Sequence, residues 1–174
     1  GGVTSVNPIY PVWTGTREYN ITPDVGSFKL DLTPSGGAIV SSYTTSDPSV
    51  CTVDEAGNVT VVGEGTCTIT LFSEPTVVYW YDEVVVTITV AKLEQTITAK
   101  DSLTLRPGDK ASAEAGVSTG SALSYTSSDP KVAIVGADGT VTAVGYGTCT
   151  ITVSAAETPK YKAAEKKITV TVEK

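Results

Sequence analysis

Histidine and methionine are both absent from the 174 residues. Without an imidazole, Ser-His-Asp and Cys-His catalytic arrangements are excluded. A zinc site would have to be built on three cysteines that show no CxxC spacing. Long apolar runs are also missing: nothing approaches the roughly 18 consecutive residues a membrane-spanning helix needs, so membrane insertion is not expected. Neither an initiator methionine nor a leader-like stretch opens the chain. The sequence is therefore expected to be a mature product or an excised fragment, with Gly1-Gly2 either a processed end or a cloning remnant. Basic residues are scarce in one half. Residues 1–92 carry three (Arg17, Lys29, Lys92) against ten acidic ones, whereas residues 93–174 carry nine of each. The formal net charge of −7 thus belongs to the first half, and no basic stripe exists to neutralise phosphates, so nucleic acid is not an expected partner.

What is present is threonine and valine in quantity, punctuated by glycine and proline, and a repeat. Residues 43–92 align without a gap onto residues 125–174 at an offset of 82, and half of the 50 pairs are identical. YTTSDPSVCTVDEAGNVTVVGEGTCTIT in the first copy stands opposite YTSSDPKVAIVGADGTVTAVGYGTCTIT in the second. Within each copy the period is two. Cys67, Ile69 and Leu71 alternate with Thr66, Thr68 and Thr70, and Val86, Ile88 and Val90 alternate with Thr87 and Thr89. That pattern predicts strands buried on one face, and no segment sustains a helical period. Ala56-Gly57-Asn58 and Asp138-Gly139-Thr140 are predicted hairpin tips. Ser46-Asp47-Pro48 and Ser128-Asp129-Pro130 are predicted turns; a lone Asp47 or Asp129 falls far short of the oxygen ligands calcium takes. Gly63-Glu64-Gly65 and Gly145-Tyr146-Gly147 read as strand-connecting turns.

The shared run Y-x-S-x-D-P-x-V…G-x-V-T-x-V-G-x-G-T-x-T-I-T, continued by Tyr161-Lys162-Ala163-Ala164 and Ile168 to Val172, resembles the group 2 bacterial immunoglobulin-like domain of invasin- and intimin-type adhesins. The resemblance implies an all-β fold of two tandem immunoglobulin-like β-sandwiches arranged end to end. Residues 1–92 would form one, with an extended N-terminal stretch, and residues 93–174 the other. Lys92 to Gln95, short and without a Gly/Ser run, is the expected boundary of a stiff rod, with Leu93 between the sandwiches. Some relatives carry cysteines at both the Cys51 and Cys67 positions, and the resemblance implies a disulfide between them. It would close a loop of about 16 residues and contribute roughly 3 kcal/mol. The alternative is three buried free thiols. The second copy has Cys149 opposite Cys67 but Ala133 opposite Cys51, which leaves Cys149 unpaired.

No catalytic constellation is expected. Asp54-Glu55 and Asp82-Glu83 are adjacent pairs that strand geometry points to opposite faces, and no glycine-rich cradle calls for a cofactor. The copies differ most in the first copy's opening, with Tyr10, Trp13 and Tyr19, and in its late loop. Val78, Trp80, Val84 and Val85 stand there opposite Lys160, Lys162, Lys166 and Lys167. Four apolar residues where lysine suffices predict a contact. Trp13, Val78, Trp80, Tyr81, Val84 and Val85 are its candidate members, while Tyr79, opposite Tyr161, is expected in the core. Three readings stand: a cover supplied by the N-terminal stretch, an interface with a neighbouring domain or subunit, or a platform for a host or polysaccharide ligand. The functional expectation is a non-catalytic bacterial surface or secreted module, acting as spacer or adhesive domain, with a filament or virion subunit and a carbohydrate-binding accessory as alternatives.

Overall fold

The computed structural model describes residues 7–174; Gly1-Gly2 lie outside the described residues. The chain divides into two compact units, the first ending at Lys92 and the second running from Leu93 to Lys174. Among the described residues no helix is long and apolar enough to cross a membrane.

The first unit contains β1 (Trp13–Thr14), β2 (Glu18–Ile21), β3 (Ser27–Lys29), β4 (Thr33–Pro34), β5 (Val40–Thr45), β6 (Cys51–Val53), β7 (Asn58–Val61), β8 (Gly65–Ser73) and β9 (Asp82–Val90). Four strands form one sheet in the order β2-β9-β8-β5, three form the opposing sheet in the order β3-β7-β6, and β1 pairs with β4. The second unit repeats this with β10 (Ile97–Thr98), β11 (Ser102–Leu105), β12 (Lys110–Ser112), β13 (Gly116–Val117), β14 (Leu123–Ser127), β15 (Ala133–Val135), β16 (Thr140–Ala143), β17 (Gly147–Ala155) and β18 (Ala164–Val172). Its sheets run β11-β18-β17-β14 and β12-β16-β15, with β10 on β13. In both units the last strand runs parallel to an early one, Tyr19 opposite Ile88 and Leu103 opposite Val170. These are two immunoglobulin-like sandwiches.

The alternation in the sequence is the cause of the layers. Cys67, Ile69, Leu71, Val86, Ile88 and Val90 are buried between the sheets, as are Cys149, Ile151, Val153, Ile168, Val170 and Val172. The intervening threonines face outward. The turns close as their residues dictate. The Asp47 carboxylate accepts the Ser49 N–H at 3.0 Å, and Ser46 Oγ accepts the Thr68 N–H at 2.8 Å. At the hairpin tip Gly57 has φ of +83°, and a Cβ there would meet the Tyr43 ring at 2.9 Å. Gly139 repeats this against Tyr125, so glycine is required twice over, by backbone and by ring. The carboxylate tying the tip has changed places between copies. Asp54 accepts the Ala56 and Asn58 N–H groups, whereas Asp138, two positions further on in the alignment, accepts that of Thr140.

The N-terminal stretch is the first strand of the sandwich rather than an addition to it. The Trp80 N–H donates to the Ile9 carbonyl as the Lys162 N–H donates to the Leu93 carbonyl, both at 2.9 Å. The Thr87 N–H bonds the Arg17 carbonyl as the Thr169 N–H bonds that of Asp101. Residues 9–21 therefore match 93–105 at an offset of 84, two more than downstream. Leu93 is fixed within the second unit by the Lys160 and Lys162 backbones.

Candidate functional site

The offset of 84 assigns each opening residue a counterpart. Trp13 occupies the place of Ile97, and both are buried in their cores. Tyr10 occupies the place of Glu94, and Pro11 that of Gln95. The buried indole needs a hydrogen-bond partner that isoleucine does not, and the first unit supplies one: Trp13 Nε1–H donates to Asp82 Oδ2 at 3.0 Å. At the Asp82 position the second unit has Ala164. The carboxylate is anchored further by the Glu83 N–H on Oδ1 at 2.9 Å, while the Asp82 N–H donates to Ser73 Oγ at 2.9 Å. Trp13–Asp82 is thus a polar clasp replacing an apolar pair.

The late loop has one skeleton in both units. Thr76 Oγ1 accepts the N–H groups of Val78 and Tyr79, and Thr158 Oγ1 accepts those of Lys160 and Tyr161. Tyr79 is half-buried, its ring lying over Gly36. On this common frame the candidate residues separate. Trp13 and Val84 are buried and belong to the core, not to a surface contact. Lysine is tolerated opposite Val84 because the half-buried Lys166 carries its Nζ out to Asp101 at 2.6 Å. Val78, Trp80, Tyr81 and Val85 stay exposed, at 59, 56, 61 and 47%. The N-terminal strand lies beside the loop without covering them.

Trp80 and Tyr81 line a groove of about 350 Å³ together with Tyr10, Phe72, Asp82 and Glu83. The second unit has the corresponding groove, about 440 Å³, lined instead by small residues: Ser154, Ala155, Ala156, Ala163 and Ala164, beside Glu165 and Ser124. Position by position, Ser154 stands for Phe72, Ala163 for Tyr81 and Ala164 for Asp82. Where the first unit presents Tyr10 and Trp80, the second forms an exposed ion pair, Lys162 Nζ to Glu94 Oε1 at 3.2 Å. The fold makes the groove twice, and only the first copy furnishes it with aromatic rings.

Cys51 and Cys67 lie in opposite sheets, on β6 and β8. They meet across the core as thiols, both buried. Burial and the contact with Cys67 push the Cys51 thiol up to about 12, which keeps it protonated at neutral pH. In the second unit the same space holds Ala133 and Cys149, whose sulfur takes a weak contact from Ser127 Oγ at 3.9 Å. Among the described residues no three Cys, Asp or Glu side chains gather as a metal site would require.

The sequence matches the family model described as intimin, immunoglobulin-like domain, over residues 24–74 and 110–157. One match falls in each unit, and together they cover more than half of the chain. A comparison with curated protein sequences returns no match. Among solved structures, domains 4 and 5 of the S-layer protein SbsC are 20% identical, with 85% of this chain and 80% of that one covered, at a TM-score of 0.40. Drosophila N-cadherin EC1-4 is 13% identical over 96% of this chain and 50% of that one, at 0.39. A bacterial Ig-like domain-containing GH10 xylanase from termite gut is 28% identical over 41% and 19%, at 0.31. The family assignment rests on the sequence match: the chain belongs to the intimin immunoglobulin-like domain family.

Proposed function

We propose that this chain is a non-catalytic, extracellular adhesive module in which the first unit carries the contact face and the second serves as its structural support. The observation that supports this reading is the difference between the two grooves. One backbone frame carries Tyr10, Phe72, Trp80 and Tyr81 in one copy, and serine, alanine and an ion pair in the other. Tyr10, Trp80 and Tyr81 are each more than half exposed, and aromatic side chains are the ones that dominate binding faces. Beads coated with the intact chain, flowed over bacterial and animal cell surfaces, should be retained. Beads carrying the triple variant Tyr10→Ala, Trp80→Ala and Tyr81→Ala should wash off, and equal retention of both would contradict the reading.

A second reading, subunit of a filament or virion, draws on Val77, Val78 and Val85, which are exposed outside the groove. Light scattering over a concentration series distinguishes the two. The adhesive module stays a monomer of 18.0 kDa, whereas a subunit forms oligomers that Val78→Lys with Val85→Lys abolishes.

A further inference from the structure

The lining of the groove specifies a chemistry. Tyr10, Trp80 and Tyr81 expose ring surface, and Asp82 and Glu83 sit beside them. Asp82 is held by Trp13 on one oxygen and by the Glu83 N–H on the other. An ionised carboxylate has about four lone-pair sites, so each oxygen keeps acceptor capacity. An apolar face next to oriented acceptors suits a ligand that is itself apolar on one face and rich in hydroxyl donors around its edge, which describes a pyranose ring. A volume of about 350 Å³ is at the small end of ligand sites, roughly 300–1,000 Å³. It suits a short stretch of a longer chain rather than a large enclosed molecule.

Charge narrows the class. The first unit carries three basic residues against ten acidic ones, and two of those carboxylates line the groove with no cation among its lining residues, a field that repels polyanions. The second unit, balanced in charge, holds Lys162 at the Trp80 position, tied to Glu94.

Resting on the reading of this groove as the contact face, we propose that it binds a neutral polysaccharide, with Trp80 and Tyr81 stacking on a sugar ring and Asp82 and Glu83 accepting its hydroxyl hydrogens. Tyr10 forms the side of the groove. The second unit's groove takes no sugar.

The test is affinity electrophoresis of the intact chain through gels containing soluble β-glucan, mannan or galactan, with alginate as the anionic control. At least one neutral polymer should retard it and alginate should not. Trp80→Ala should weaken retardation about thirtyfold or more, the size of a binding hot spot. Glu83→Gln should give a smaller loss, because an amide still accepts one hydrogen bond. Trp80 is an exposed loop residue, and an unchanged near-ultraviolet circular dichroism spectrum outside the Trp80 contribution confirms that the variant folds. Retardation by alginate alone, by no polymer, or equally in wild type and Trp80→Ala overturns the proposal. Choline in solution abolishing bead adhesion would do so as well, marking a cation site instead. If no neutral polymer binds while adhesion still depends on Tyr10, Trp80 and Tyr81, the ligand class fails and the contact face stands. If adhesion is also indifferent to the triple variant, both fail.

Discussion

The two units of this chain are close to a controlled experiment in which a backbone is held constant and its lining is changed. Between the sheets, Ile69 and Ile151, Val59 and Val141, and Ile88 and Val170 fill equivalent positions, because a sandwich core tolerates little beyond volume-conserving exchange. At the groove end the same frame carries Tyr10 and Trp80 in one copy and the Glu94–Lys162 pair in the other. What differs is therefore not what folding needs. The difference isolates the residues available for function, and it also separates false candidates: Val84 and Trp13 differ from their counterparts yet serve the core.

If the cores are equivalent, Ile69→Ala and Ile151→Ala should each destabilise their own unit by about 3–4 kcal/mol, the usual range for deleting a buried aliphatic side chain. Denaturant unfolding followed by residue-resolved hydrogen exchange reads each separately, and unequal losses beyond about 1 kcal/mol would break the comparison.

The cysteines should then divide the units. Mild oxidation is expected to join Cys51 and Cys67, detected as loss of two hydrogens by intact mass, and to stabilise the first unit by roughly 3 kcal/mol. The second unit should not respond, and Cys51→Ala, which copies Ala133, should abolish the effect. The reduced protein carries a further signature. Because folding raises the Cys51 pKa to about 12, the native state holds a proton that the unfolded chain releases above about pH 8.5. The contribution is complete below that value and is lost as pH rises through the window from about 8.5 to 12. Cys51→Ala should flatten that alkaline limb in the first unit.

Asp82→Ala should cost about 1–3 kcal/mol by leaving the buried Trp13 indole without an acceptor. Adding Trp13→Ile, to recreate the second unit's Ile97–Ala164 pair, should recover part of that loss in thermal unfolding. The smallest effect is expected from exchanging Tyr10 for Glu and Trp80 for Lys. Recreating an exposed ion pair should change stability by no more than about 1 kcal/mol, while removing adhesion. A large loss of stability would mean that the rings support the fold after all.

Much of the fold was legible because its causes are local. Alternation from Thr66 to Leu71 and from Val86 to Val90 placed two central strands and their buried faces, and Gly57 and Asp47 marked turns that the backbone then made. The first strand was hidden by a shift of two residues. With the offset at 84 over the opening strand, 83 at β3 and β4 and 82 downstream, Trp13 was not aligned with Ile97, and a core residue looked like part of an added stretch. Its only signal was a lone tryptophan two residues past a proline. The Trp13–Asp82 bond spans 69 residues and is set by sheet packing, which no local pattern carries. The cysteines show the same limit: alternation puts Cys67 on a core face, but which sheet each cysteine's strand joins depends on topology. Trp80 was legible because the second copy supplies a comparison at matched positions, Lys162 standing opposite it.

The claim that function is concentrated in the first unit's groove is tested most directly by following the two indole N–H resonances of the intact chain by NMR during titration with an oligosaccharide of the retarding polymer. The account predicts that the Trp80 indole and the backbone amides of Tyr81 to Glu83 shift progressively. The buried Trp13 indole should follow only weakly through Asp82, and Lys162 to Glu165 should stay in place. Shifts centred on the second unit's groove, or none at Trp80, would contradict it.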